Sequence, residues 1–129
     1  MSRHLLALCV LVLLGCGGSD GRTQVSGTVL WKGKPVPLGS ITLEPDASRG
    51  GRGPQARIMI NRGRYASRAG FGAVHGPVVV EVDGYGVPDR SEFPVQLFPP
   101  FRFTTEIPAA PRHQLDIVVP DEKPASRSR

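Results

Sequence analysis

From Thr23 onward, apolar and polar positions alternate in steps of two, the period of a strand with one covered face. Val25, Gly27, Val29 and Trp31 share one parity and Gln24, Ser26, Thr28 and Leu30 the other, before Lys32-Gly33-Lys34-Pro35 reads as a turn. Ile41 and Leu43 alternate with Thr42 and Glu44 ahead of Pro45-Asp46. Ile58 and Ile60 lead into Asn61-Arg62-Gly63, a hairpin-like turn, and Tyr65 follows on the returning strand. Val78, Val80 and Val82 face away from Val79, Glu81 and Asp83, and Gly84-Tyr85-Gly86 closes that strand. Phe101, Phe103, Thr105 and Ile107 form one further strand, and Leu115, Ile117 and Val119 against Asp116 form the last. No stretch has a helical period. Six or seven short strands with one apolar face each need a second sheet to cover them. The pattern therefore predicts an all-β antiparallel β-sandwich of about seven strands over residues 23–120.

Ahead of this domain lies a different pattern. Residues 5–14 form an unbroken apolar run after Arg3 and His4, and small residues close it. A bilayer-spanning helix needs about 20 apolar residues, whereas a secretory signal has a basic start, an apolar core of about 7 to 15 and a small-residue cleavage site. The run fits the second description. At its end Leu13-Leu14-Gly15-Cys16 resembles the lipobox of bacterial lipoproteins, in which the cysteine takes a diacylglycerol and becomes the first residue of the mature chain. That resemblance implies a leader over 1–15 cleaved after Gly15, lipidation of Cys16, and anchoring in the cell envelope with the domain facing the periplasm or the exterior. Cys9 would leave with the leader and Cys16 would be blocked, so neither a disulfide nor a cysteine metal site is expected. Residues 16–22 contain Gly17, Gly18, Ser19 and Gly21 and read as a flexible tether, and 121–129 as a disordered polar tail.

Composition agrees with the strand reading: 16 glycines and 13 prolines among 129 residues favour turns over helices. Loss of Arg3 with the leader leaves 15 Lys and Arg against 11 Asp and Glu, a modest excess of positive charge.

The stretch from Val25 to Leu43 is similar to the opening of carboxypeptidase-regulatory-like domains, relatives of the transthyretin-like sandwiches. Its Val25-Ser26-Gly27-Thr28-Val29 corresponds to their first strand, Gly33-Lys34-Pro35-Val36 to their turn and Ile41-Thr42-Leu43 to their next strand. Asn61-Arg62-Gly63-Arg64-Tyr65 resembles the family's following hairpin, and Gly76 to Val82 its valine-rich strand. The likeness implies a prealbumin-like sandwich, and the glycines fit it physically: Gly33 and Gly63 sit where a turn wants positive φ, and Gly27 allows a close backbone approach or a bulge. His75-Gly76-Pro77-Val78 lacks the family's usual aromatic, and the proline-rich segment from Asp83 to Phe101 exceeds a simple hairpin.

Some transthyretin-like sandwiches are hydrolases whose sites use histidines, arginine and a C-terminal Tyr-Arg-Gly-Ser. This chain ends otherwise, and His75 and His113 read as exposed polar residues. Ser40, Ser67, Asp83 and Glu92 have no spacing that singles them out, and no calcium loop, zinc spacing or phosphate-cradling glycine motif occurs. The expectation is a protein without catalytic residues, metal or cofactor. Charge placement is the more unusual feature. Between Ala47 and Val80 stand Arg49, Arg52, Arg57, Arg62, Arg64 and Arg68 without one carboxylate, a candidate polyanion-binding face for envelope polymer or phospholipid. A single Arg-Gly-Gly-Arg-Gly stretch in an exported chain argues against nucleic acid. Tyr85, between two glycines, is the candidate for stacking on a sugar, while Trp31 shares the parity of Val25 and Val29 and is assigned to the core. The expected role is binding or structural, toward an envelope protein or polymer, with a carbohydrate-binding module as the alternative and a small hydrolase behind it.

Overall fold

The computed structural model describes residues 21–87 and 93–121. The leader, Gly15, Cys16, most of the tether and the tail after Asp121 lie outside the described residues. The described chain is all β apart from one 3-10 turn at Ala47–Arg49. Four strands form an antiparallel half: β3 (Leu38–Pro45) lies between β4 (Ala56–Asn61) and β7 (Gly76–Tyr85), and β8 (Phe101–Ile107) pairs with the far edge of β7. The other half is built on β1 (Arg22–Trp31), the hub of the fold. One edge of β1 meets three short strands in turn: β6 (Ala73–Val74), β5 (Arg64–Ala66) and β2 (Lys34–Pro35), all antiparallel. Its other edge meets β9 (Arg112–Gln114) and β10 (Ile117–Val119).

A seven-strand path runs β10-β1-β5-β4-β3-β7-β8, in line with the sequence expectation, and β2, β6 and β9 add short pairings to β1. β4 and β5 pair only at Asn61 and Arg64, where the hairpin carries the chain from one half to the other. The sheet curls at this corner into a sandwich-like fold, and the apolar faces of both halves enclose one core. The alternation read from the sequence defines that core. Val25 and Val29, Ile41 and Leu43, Ile58 and Ile60, Val78, Val80 and Val82, and Ile117 and Val119 are all buried. Each such aliphatic side chain contributes about 1.5–3 kcal/mol when fully removed from water.

Both turn glycines behave as their positions require. Lys32 and Gly33 (φ 53° and 72°) make the β1–β2 turn, and Arg62 and Gly63 (φ 51° and 74°) make the β4–β5 turn. Two positive φ values in succession match the right-handed twist of a two-residue hairpin.

Two pairings depart from the antiparallel expectation. β9 and β10 run parallel to β1. The cause is the short crossing from β8: Ile107 ends at the edge of the molecule where β1 begins, and the Thr23 hydroxyl donates to the Pro108 and Ala110 carbonyls. A chain that arrives beside the start of β1 has to run along with it. The two parallel segments are interrupted opposite Gly27, where a Cβ would stand only 2.0 Å from the Leu115 carbonyl oxygen. Glycine is therefore required there for close approach, and the strand it faces is broken into two.

Strand directions define two ends of the sandwich. The entry end holds the start of β1, the loop between β3 and β4, the segment from Ser67 to His75 and the crossing at Pro108–Pro111. The far end holds the turns at Lys32-Gly33 and Arg62-Gly63 and the segment after Tyr85.

Candidate functional site

The corner between the two halves forms an open groove of about 860 Å³. Outward positions of three strands create it: Ser26 and Thr28 from β1, Met59 and Asn61 from β4, and Arg64 from β5, with Arg62 at the turn. Their outward direction follows from the period of two, since their neighbours Val25, Val29, Ile58, Ile60 and Tyr65 fill the core. The Arg62 turn is clipped in place by backbone bonds: Arg62 N–H donates to the Pro37 carbonyl at 2.7 Å, and Gly63 N–H to that of Val36 at 2.7 Å. Met59 is 67% exposed, an apolar spot within an otherwise polar rim.

Beneath the groove, Tyr65 and Asp116 tie β5, β1 and the β9–β10 junction together. The Tyr65 hydroxyl donates to the Leu115 carbonyl. Burial pushes that hydroxyl well above the ordinary tyrosine range, and the nearby Asp116 carboxylate adds to the shift. Tyr65 thus stays protonated in neutral solution and acts as a donor. Asp116 Oδ1 accepts from the Thr28 N–H at 3.0 Å and its hydroxyl at 3.1 Å, and Oδ2 accepts from Gln114 Nε2 at 3.1 Å. Both carboxylate oxygens are engaged in holding strands together at the break opposite Gly27.

The six arginines of the carboxylate-free run are all exposed, but they do not occupy one place. Arg62 and Arg64 line the groove, and Arg57 projects from the outer side of β4. Arg49, in the 3-10 turn, and Arg52, in the loop after it, lie at the entry end of β4, and Arg68 lies at the entry end beyond β5. Among the described residues the two ion pairs are Lys32 with Asp121 and Arg102 with Glu81, so neither involves this set.

Tyr85 is half-buried at the end of β7, with its side chain on the outer face. Cross-strand register places it level with Leu38 and Asn61, so Tyr85 and the groove-lining Asn61 are two strand spacings apart, about 10 Å. The next row holds Met59, Ser40 and Asp83. Trp31 is only partly buried. It packs 5.6 Å from Phe98, with the Lys32 ammonium 4.6 Å over its ring, and lines a smaller cleft of about 280 Å³. Phe98 itself is buried against Gly84, where a Cβ would meet its ring at 2.4 Å. The proline-rich segment thereby returns to the core, a packing role that the sequence pattern did not signal.

The two histidines stand apart, and neither is fully exposed as expected. His113 is half-buried in β9 beside Val25, and His75 is half-buried between β6 and β7, with Nε2 enclosed and without a hydrogen-bond partner among the described residues. Among the described residues no three His, Cys, Asp or Glu side chains come together as a metal centre would require. No family model, curated protein or solved structure matches this chain. Chemically, the groove presents two guanidinium groups, amides and hydroxyls over an apolar spot, an arrangement that can hydrogen-bond an extended polar or anionic ligand on an open surface.

Proposed function

We propose that this chain is a lipid-anchored protein of the bacterial cell envelope whose sandwich domain, of the carboxypeptidase-regulatory-like and transthyretin-like kind, binds rather than catalyses. One observation carries the anchor: a short apolar run ends in Leu13-Leu14-Gly15-Cys16, and the hub strand starts only six residues later at Arg22. Two acyl chains give a stable anchor at about 0.8 kcal/mol per buried methylene. Metabolic labelling with a fatty acid tests this: the wild-type chain is expected to take the label and Cys16→Ser to lose it, and a labelled Cys16→Ser protein refutes the anchor.

The binding reading is supported by the open groove beside Tyr85. Arg62, Arg64, Asn61 and Ser26 offer donors and acceptors to an extended polymer, and Tyr85 lies within reach of the same chain of sugars. Retention on insoluble envelope polysaccharide is expected to fall in Tyr85→Ala and in Arg64→Gln. Undiminished retention in both variants removes the groove as the binding site.

A further inference from the structure

We propose that the entry end of the sandwich is a basic docking face for anionic phospholipid headgroups, turned toward the bilayer by the anchor on Cys16. This rests on the lipid-anchor reading above. Five arginines converge there from four segments: Arg22 opens β1, Arg49 and Arg52 lie between β3 and β4, Arg68 follows β5, and Arg112 opens β9. The segments are physically contiguous. Arg22 pairs with Val74, and Val74 packs against Gly53, next to Arg52. Arg22 Nη1 donates to the Gly70 carbonyl at 2.9 Å, which holds the turn that carries Arg68 and the 66% exposed Phe71. Gln24 N–H donates to the Pro111 carbonyl, which places Arg112 beside the same strand start.

Among the described residues three carboxylates lie near this end, fewer than the five arginines. Asp46 is 7% exposed and accepts from the Ser48 N–H and hydroxyl. Glu44 and Glu106 belong to the outer face of the four-stranded half, level with Val79 and Pro77. Among the described residues none of the five arginines is in an ion pair.

Reach decides which arginines meet the membrane. Between Cys16 and Gly21 the chain spans at most about 18 Å. Roughly 6 Å of that crosses the headgroup layer. The remaining distance, about 12 Å, is comparable to the screening length of about 8 Å at physiological salt. The entry end is therefore held where an anionic surface is felt. Arg64, opposite Thr28, lies about 20 Å along β1 from Arg22, and Arg62 lies beyond it, more than two screening lengths away. Exposed Phe71, among the arginines, adds an apolar contact suited to the headgroup boundary.

The test uses the full-length chain, processed and acylated in a bacterial host and reconstituted into vesicles of phosphatidylcholine alone or mixed with phosphatidylglycerol. A spin label at Ala69→Cys reports on the entry end and one at Asn61→Cys on the far end, each read by collision with a water-soluble relaxant. On anionic vesicles the label at 69 is expected to be shielded relative to neutral ones, to regain access in high salt, and to leave the label at 61 unchanged. Replacing arginines with glutamine should shift the balance toward the disengaged domain roughly five-fold per residue. Arg49→Gln with Arg52→Gln, whose side chains bond no other segment among the described residues, serves as the variant that preserves the fold. Equal access at position 69 on both vesicle types in the acylated protein overturns the docking face. Mass spectrometry of the same preparation reads the adduct on Cys16, and an unmodified cysteine overturns the anchor reading and the docking face together.

Discussion

Gly27→Ala isolates the junction that closes the sandwich. Gly27 has no positive φ, so alanine brings no backbone strain there. The whole effect is steric: the new Cβ would lie 2.0 Å from the Leu115 oxygen and 2.6 Å from its carbon, both backbone atoms that cannot rotate away. Separating β1 from the β9–β10 junction by the required ångström or more strains the Leu115 N–H bond to the Ser26 carbonyl (2.8 Å), the Tyr65 hydroxyl bond to Leu115 and the Thr28 bonds to Asp116. Overpacking costs about 1–3 kcal/mol. Losing two of these bonds adds about 1 kcal/mol each. A total near 3–5 kcal/mol is a large part of the roughly 5–15 kcal/mol that holds a domain folded. Thermal unfolding followed by circular dichroism is expected to show Tm lowered by at least about 12 °C, at roughly 4–8 °C per kcal/mol. Gly33→Ala is the internal standard. Its site is open but has φ 72°, so it should cost only the left-handed penalty of about 1–2 kcal/mol. If Gly27→Ala melts no lower than Gly33→Ala, the close-approach account is refuted.

Three further outcomes follow from the same packing. Tyr65 has a folded pKa above its unfolded value near 10, so its contribution is complete below pH 10 and is lost as pH rises above that value. Denaturant titrations are therefore expected to show wild-type stability falling beyond pH 10 by up to about 1.4 kcal/mol per pH unit more than Tyr65→Phe, and parallel curves would count against it. Tyr65→Phe at neutral pH should itself cost about 1–2 kcal/mol, since the Leu115 carbonyl loses its donor. Ile41, fully buried at the centre of the four-stranded half, is expected to cost about 2–5 kcal/mol when changed to alanine; a loss below 1 kcal/mol in denaturant would contradict its place in the core.

Much of the fold was legible because burial in a sheet repeats every two residues. The parity of Val25 and Val29, of Ile58 and Ile60 and of Val78, Val80 and Val82 specifies which face is covered without reference to any partner. The glycines at 33 and 63 announced their turns because few other residues accept their φ values. Trp31 was harder to place by parity, since it sits at the end of β1 where the core opens and only part of its ring is covered. Phe98 gave no signal: it fills the space above Gly84 from an irregular, proline-rich segment with no period to read.

The candidate site divides in the same way. The sequence showed an arginine-rich run, but one-dimensional proximity is a poor guide when successive strands run in opposite directions. The six arginines consequently separate to different parts of the molecule, while Arg22 and Arg112, ninety residues apart, arrive at one end.

By itself, the sequence determined the all-β class, the faces of the strands and their tight turns, because these follow from local periodicity and backbone sterics. Only the tertiary structure decided the parallel course of β9 and β10, that Gly27 serves a close approach, the corner groove and the grouping of charge at the two ends. Those depend on which strand edges meet and at which end each crossing occurs, properties of chain path and packing that no local pattern encodes.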